Sequence, residues 1–389
     1  MIIFNGITLH LPVVRLAVAI VAGLTLIPHT AWAQTPEQTF RELGESCRTG
    51  DAYACSRLGG AFENGRGVEP DMEQAAGLYQ LGCDLGDASG CTDLGYLYEI
   101  GRGVPEDDAF AATLYQQGCD GGDALGCGNL GTMYDNGRGM EMDTSRAVQL
   151  FRQACDQLSP RACSNLGLMY RDGRSVAVDL AQAANFYRRG CDLKDGQGCT
   201  DLGFAHEVGD GVSADMLRAT ELYQDGCKLD NALGCAYLGY MYYIGTGVPQ
   251  DDVQAVRYYE LGCDGGEGRA CSNLGIMYYA GRGVPQDDAR SAALFGQGCD
   301  MGYALGCSNL GLNYSFGRGV PLDDAQAVQF FTQGCDGGDP QGCFSLGYNY
   351  EVGLAVKADR NRAIELYRLA CNDGLTDACA DLSRLGGQP

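Results

Sequence analysis

Apolar residues along this chain recur three and four positions apart, in blocks of about a dozen residues broken by glycine-rich turns. That spacing places them on one side of an α-helix. In the stretch 87–122, DASGCTDLGYLYEIGRGVPEDDAFAATLYQQGCDGG, Leu94 and Tyr98 mark the apolar face of one helix, and Ala111, Leu114 and Tyr115 that of a second. The first, helix A, is predicted from about Ala88 to Ile100 and stops at Gly101-Arg102-Gly103, because glycine readily takes the left-handed conformation that closes a helix. The second, helix B, is predicted to start at Asp107 and to end near Cys119, before the turn Asp120-Gly121-Gly122-Asp123.

The same pattern returns every 36 residues. Asp71, Asp107, Asp143, Asp179, Asp215, Asp251, Asp287, Asp323 and Asp359 open the successive B helices, where a side chain that accepts from free amides is needed. A cap explains them better than a catalytic acid does. Leu58, Leu94, Leu130, Leu166, Leu202, Leu238, Leu274, Leu310, Leu346 and Leu382 form a core column, followed by Gly in the full units. An Ala four residues after each cap, Ser291 in one unit, and an aromatic eight after it complete the core. A constant period of this size is the signature of stacked supersecondary units. The predicted fold is all-α, a solenoid of helix-turn-helix repeats. Nine units span 51–374, with a capping helix in 34–50 (Phe40 and Leu43 facing inward) and a capping half-repeat in 375–389.

Cysteine follows the period too. Its 20 residues form ten Cys-x7-Cys pairs: Cys47 and Cys55, Cys83 and Cys91, Cys119 and Cys127, Cys155 and Cys163, Cys191 and Cys199, Cys227 and Cys235, Cys263 and Cys271, Cys299 and Cys307, Cys335 and Cys343, Cys371 and Cys379. On the predicted elements each pair joins the end of a B helix to the start of the next A helix, so ten disulfides are expected. Zinc would require four clustered ligands, and isolated pairs without accompanying His do not supply them. No metal site is expected.

Disulfides on this scale imply an oxidising compartment. The N-terminus agrees: Arg15, an apolar run from Leu16 to Ile27 and the small-x-small triplet Ala31-Trp32-Ala33 read as a signal peptide over 1–33, cleaved after Ala33. A retained anchor is the alternative, but the run is short for a bilayer and is followed by Pro28. Removal of the leader takes away one Arg and no acid, so the exported chain is more acidic still than the −23 of the full sequence. Such a surface repels nucleic acid and anionic lipid, so neither is an expected partner, nor is a membrane after signal removal. It serves solubility first and, where it binds, favours a basic partner. A monomer is expected.

The run L-G-x-x-Y-x-x-G-x-G-V-x-x-D followed by A-x-x-L-Y-x-x-G-C, as in Leu94 to Cys119, resembles the Sel1-like repeat, a relative of tetratricopeptide repeats. With Cys-x7-Cys added, the chain is similar to the Helicobacter cysteine-rich protein family over nearly its whole length after the signal. The resemblance implies a right-handed α/α superhelix, periplasmic or secreted residence, and protein-protein interaction. It also implies an alternative, because some cysteine-rich members are described as penicillin-binding proteins or weak β-lactamases.

That alternative finds little in the residues. No Ser stands three before Lys194, Lys228 or Lys357, and there is no Lys-Thr-Gly, so the serine β-lactamase motifs are missing. Metal-dependent hydrolysis needs several His, yet only His206 survives cleavage. It occupies a column otherwise filled by Tyr or Phe and reads as scaffold. No nucleophile elbow, Walker loop or EF-hand spacing occurs, and Gly-Arg-Gly reads as turn punctuation. No catalytic residue and no cofactor are proposed from the sequence.

A binding surface is easier to find. In helix A the position two after the second Cys carries Asp93, Asn129, Asn165, Asp201, Tyr237, Asn273 and Asn309, while four further on lie Leu97, Met133, Met169, Ala205, Met241 and Met277. The two columns share one helix face. If helix A lines the inner wall, as the resemblance implies, they form an amide ladder beside a Met-rich stripe, suited to an extended peptide. The other reading is structural: the amides brace the neighbouring repeat and the Met fill gaps. Tyr240, Tyr243 and Tyr279, at positions that packing does not require to be aromatic, mark the expected hot spot for a peptide or protein partner.

Overall fold

The computed structural model describes residues 35–388, so the signal peptide expected in 1–33 lies outside the described residues. These residues are all-helical, without strands. The order is α1 (Pro36–Arg48), α2 (Ala52–Asn64), α3 (Met72–Asp84), α4 (Ala88–Ile100), α5 (Asp108–Asp120), α6 (Ala124–Asn136), α7 (Thr144–Asp156), α8 (Pro160–Asp172), α9 (Leu180–Asp192), α10 (Gly196–Val208), α11 (Met216–Lys228), α12 (Ala232–Ile244), α13 (Asp252–Asp264), α14 (Gly268–Ala280), α15 (Asp288–Asp300), α16 (Ala304–Phe316), α17 (Asp324–Asp336), α18 (Pro340–Val352), α19 (Arg360–Asn372) and α20 (Thr376–Arg384). Even-numbered helices are A helices and odd-numbered ones B helices.

Local chemistry sets these boundaries. Each of the nine Asp that open B helices accepts from an amide of the first turn, as Asp107 does from Phe110 N at 2.9 Å. The A helices from α2 to α18 end in a left-handed Gly, Gly101 with φ 63° in the case of α4. The second Gly of the turn has a further role. Gly103 has φ 73°, and a Cβ there would lie 2.3 Å from the carbonyl oxygen of Met72, at the start of the preceding repeat's B helix. The turn is thus pressed against its neighbour.

Packing holds each A helix to the B helix after it. A Cβ on Gly95 would sit 2.9 Å from the Tyr115 ring, so the missing side chain lets the aromatic lie flat on α4. Leu94, Ala111, Leu114 and Tyr115 are fully buried there. The ten disulfides form between the expected partners, with Cα separations of 4.4–4.7 Å, and no cysteine is free among the described residues. They close every B-to-A junction.

Successive A helices approach one another along most of the array, whereas successive B helices make at most sparse contact. The A helices therefore follow the tighter curve and form the inner wall of the solenoid. None of the described helices is long and apolar enough to cross a membrane.

Candidate binding surface on the A helices

Asp93, Asn129, Asn165, Asp201, Tyr237, Asn273 and Asn309 lie half-buried on the inner wall. Asn129 lies beside the Tyr115 hydroxyl and Asn273 beside that of Tyr259, each facing the preceding B helix. Asn165 and Asn309 hold the same register and the same partial burial. These contacts favour bracing between repeats. At Asp93 burial, then the nearby Glu63 carboxylate, pushes the carboxyl up to about 6. At Asp201 burial does the same, to about 6, against the opposing hydrogen bond from Gln197 Nε2 at 3.0 Å. Tyr237 stacks on Tyr223 at 4.8 Å, with Phe204 beyond it at 6.4 Å.

The Met stripe must be corrected. Met133, Met169, Met241 and Met277 are at most 2% exposed and belong to the core, Met241 packing among Ala219, Tyr223 and Leu238. Six residues after the second Cys, the helix has turned that position into the core, where Met241 and Met277 meet the B helix of the preceding repeat. These side chains therefore offer no surface to a ligand.

The exposed apolar column lies one position earlier. Tyr96, Phe204, Tyr240 and Tyr348 are exposed, and Leu168, Ile276 and Leu312 half-buried, all five residues after a second Cys. Ile100, Val208, Ile244, Phe316 and Val352, four residues further on, widen the stripe. Hollows open beside it. One of 710 Å³ at the N-terminal end is walled by Phe40 of α1 and by Tyr53, Arg57, Tyr79 and Asp93. Another of 340 Å³ lies among Asp93, Tyr96, Glu99, Asn129 and Arg161, and a third of 290 Å³ among Phe316, Phe344 and Tyr348.

A charged network that sequence reasoning missed runs along the same wall. The hydroxyls of Tyr79, Tyr115, Tyr223 and Tyr367 donate to Glu63, Glu99, Glu207 and Glu351, each 16 residues upstream. The Arg of the turn after an A helix, Gly-Arg-Gly at Arg138 and Gly-Arg-Ser at Arg174, then reaches back to the preceding repeat: Arg138 to Glu99 at 2.7 Å and Asp108 at 2.9 Å, Arg174 to Asp135 at 2.8 Å. The turn is thus more than punctuation. The constant separation of 39 residues from Glu99 to Arg138 and from Asp135 to Arg174 was the available signal.

The tyrosines expected to form a hot spot fall into two groups. Tyr240 and Tyr243 stack at 6.5 Å, Arg282 lies 4.2 Å from the Tyr243 ring centroid, and Arg318 covers Tyr279 at 5.4 Å. Where Tyr243 and Tyr279 stand, other repeats carry Glu63, Glu99 or Glu207. His206 is half-buried, its Nδ1 3.1 Å from the Ser213 carbonyl, which fits a scaffold role.

The profile of the Sel1 repeat matches nine consecutive segments, 52–87, 88–123, 124–157, 160–195, 196–231, 232–267, 268–303, 304–339 and 340–375. The chain belongs to the Sel1 repeat family. Among solved structures it is similar to a protective antigen of uropathogenic Escherichia coli strains displaying an SLR fold, at 24% identity over 90% of this chain and 84% of that one, TM-score 0.56. A Sel1 repeat protein from Oxalobacter formigenes is 26% identical over 79% of this chain and 89% of its own, TM-score 0.55. The Helicobacter pylori cysteine rich protein B is 31% identical over 33% of this chain and 92% of its own, TM-score 0.29. No curated protein matches significantly. The fold of this Sel1 repeat protein is consistent with an interaction scaffold, and its ten disulfides point to an extracytoplasmic compartment.

Proposed function

We propose that this Sel1 repeat protein is an exported scaffold, periplasmic or secreted, that binds an extended peptide segment of a partner protein along its A-helix wall. The observation that carries this is the exposed apolar column through Tyr96, Phe204, Tyr240 and Tyr348, which no helix of the chain covers among the described residues. A monomeric soluble protein rarely leaves so long an apolar run bare unless it meets a ligand. The acidic excess of the chain, 50 acidic against 27 basic residues, favours a basic segment over most of the wall.

The ends of the array suit a monomer. The last A helix, α20, carries Ser383 where the full repeats have the Gly that admits an aromatic ring, and α1 offers Leu43 in the ring position. Head-to-tail growth would set Ser383 against Leu43, so the ring-on-glycine contact that joins A to B helices within the array could not form there. No observation favours the penicillin-binding or β-lactamase alternative.

Selection of displayed random peptides on the full oxidised chain tests the reading. Enrichment of apolar, basic sequences is expected, with binding reduced at least tenfold by the combined changes Tyr96→Ala, Phe204→Ala, Tyr240→Ala and Tyr348→Ala. Equal binding by wild type and the fourfold variant would sink the proposal.

A further inference from the structure

One arginine on the inner wall combines rings on two sides with a buried donor left unpaired. Arg269, near the start of α14, lies between two aromatic rings, 5.6 Å from the Tyr237 centroid and 5.9 Å from that of Tyr303. In a chain with 50 acidic residues it has no carboxylate within 4 Å among the described residues, and its buried Nε finds no acceptor. A buried donor without a partner costs stability. The fold accepts that cost in order to hold this guanidinium in place.

Both rings depart from the repeat. Tyr237 stands where other units carry Asp93, Asn129, Asn165, Asp201 or Asn273. Tyr303 stands at the N-cap of α16, a position that holds Asp, Asn, Ser or Glu in the other full units, and it supplies no side-chain cap. Giving up a cap costs helix stability. Neither tyrosine is demanded by the scaffold, and the two converge on a third residue that the scaffold does not demand either.

We infer that Arg269, clamped by Tyr237 and Tyr303, is a carboxylate-binding point on the inner wall, taking either an acidic side chain or the C-terminal carboxylate of a bound segment. Ring faces on two sides fix the guanidinium plane and leave its edge for a ligand. The Nε side is enclosed, so the terminal Nη atoms form the open edge, a planar fork that matches a carboxylate. Asn273, one turn further along α14, lies beside the Tyr259 hydroxyl on the adjoining wall. The inference deepens the peptide-scaffold reading: a segment basic and apolar elsewhere would be anchored here by one negative group, which sets its register.

The site can be probed without any peptide. N-acetylleucine, as a C-terminal carboxylate, and N-acetylglutamate α-amide, as an acidic side chain, are titrated into the full oxidised chain by saturation-transfer NMR, with N-acetylleucinamide as the neutral control. Saturable binding of at least one acid and none of the amide is expected; whichever acid binds more tightly names the source. Arg269→Gln should weaken the acid at least tenfold, while Arg269→Lys, which keeps the stem and the charge but not the fork, should weaken it less. Equal behaviour of acid and amide, or unchanged acid binding in Arg269→Gln, would overturn the inference. Failure of the displayed-peptide selection alongside acid binding would remove the scaffold reading and leave this site standing.

Discussion

The hydroxyl of Tyr115 donates to Glu99 Oε2 at 2.5 Å, joining the B helix to the A helix of the same repeat. Arg138 of the next repeat closes on the other oxygen of that carboxylate at 2.7 Å, and Asn129, also of the next repeat, lies beside the Tyr115 hydroxyl. One buried phenol therefore ties together two repeats. Burial, then its bond to Glu99, raises the Tyr115 hydroxyl far above the usual phenol range.

Replacing Tyr115 by Phe keeps the ring and removes only the bond. A loss of about 1–2 kcal/mol is expected, because the acceptor is charged and the site largely dry. Urea unfolding of wild type and Tyr115→Phe measures it. A difference below about 0.5 kcal/mol would show that water replaces the hydroxyl without cost.

Two glycines of the same region separate close approach from backbone conformation. Gly95 faces the Tyr115 ring, whereas Gly86 has φ 97° with nothing within 4 Å of an added Cβ. Gly95→Ala should cost about 1–3 kcal/mol through overpacking and disturb the near-ultraviolet dichroism of the ring. Gly86→Ala should cost about 1 kcal/mol through strain and leave that signal alone. The reverse order would contradict the packing described.

Asp93 and Asp201 make stability depend on pH. Both folded carboxyls stand at about 6, above the ~3.9 of an unfolded chain. The folded state therefore holds their protons more tightly, and the stability they supply is complete below pH ~4 and lost as pH rises through about 6. Asp93→Asn and Asp201→Asn should each raise stability at pH 7 by on the order of 1 kcal/mol after solvent screening, with the gain shrinking toward pH 4. Melting temperatures of the two variants across pH 4–8 supply the check, and a constant offset from wild type would contradict the assignment.

Removing a single disulfide tests how far each junction depends on its staple. For a ring as short as that closed by Cys155 and Cys163, loop entropy assigns about 2.5 kcal/mol. Changing both to Ala should split urea unfolding into two transitions, since a solenoid is held only by neighbouring repeats. The same change at Cys371 and Cys379 should fray only α19 and α20. Indistinguishable single transitions in both variants would mean that helix packing alone carries the junctions.

Much of the fold was legible in the chain because its determinants are local. Asp107 caps α5 through its own backbone neighbours, Gly101 ends α4 through its own φ, and Cys119 and Cys127 are separated by a turn too short to leave them apart. None of these needs a distant partner, so a spacing along the chain suffices to reveal it.

The inner wall was a different matter. Met133 and Thr132 are consecutive on one helix, and a step of one residue turns the side chain by about 100°, enough to exchange the wall for the core. Which of the two faces outward depends on how α6 crosses α7, and that crossing is set by ring-on-glycine contacts such as Phe151 on Gly131. Likewise Arg138 meets Glu99 only because the turn after α6 is pressed back upon the preceding repeat. Helices, caps, staples and period thus follow from the order of residues alone. Which side chains the wall displays follows only from the packing of one repeat on the next, because exposure is a property of the neighbour as much as of the residue.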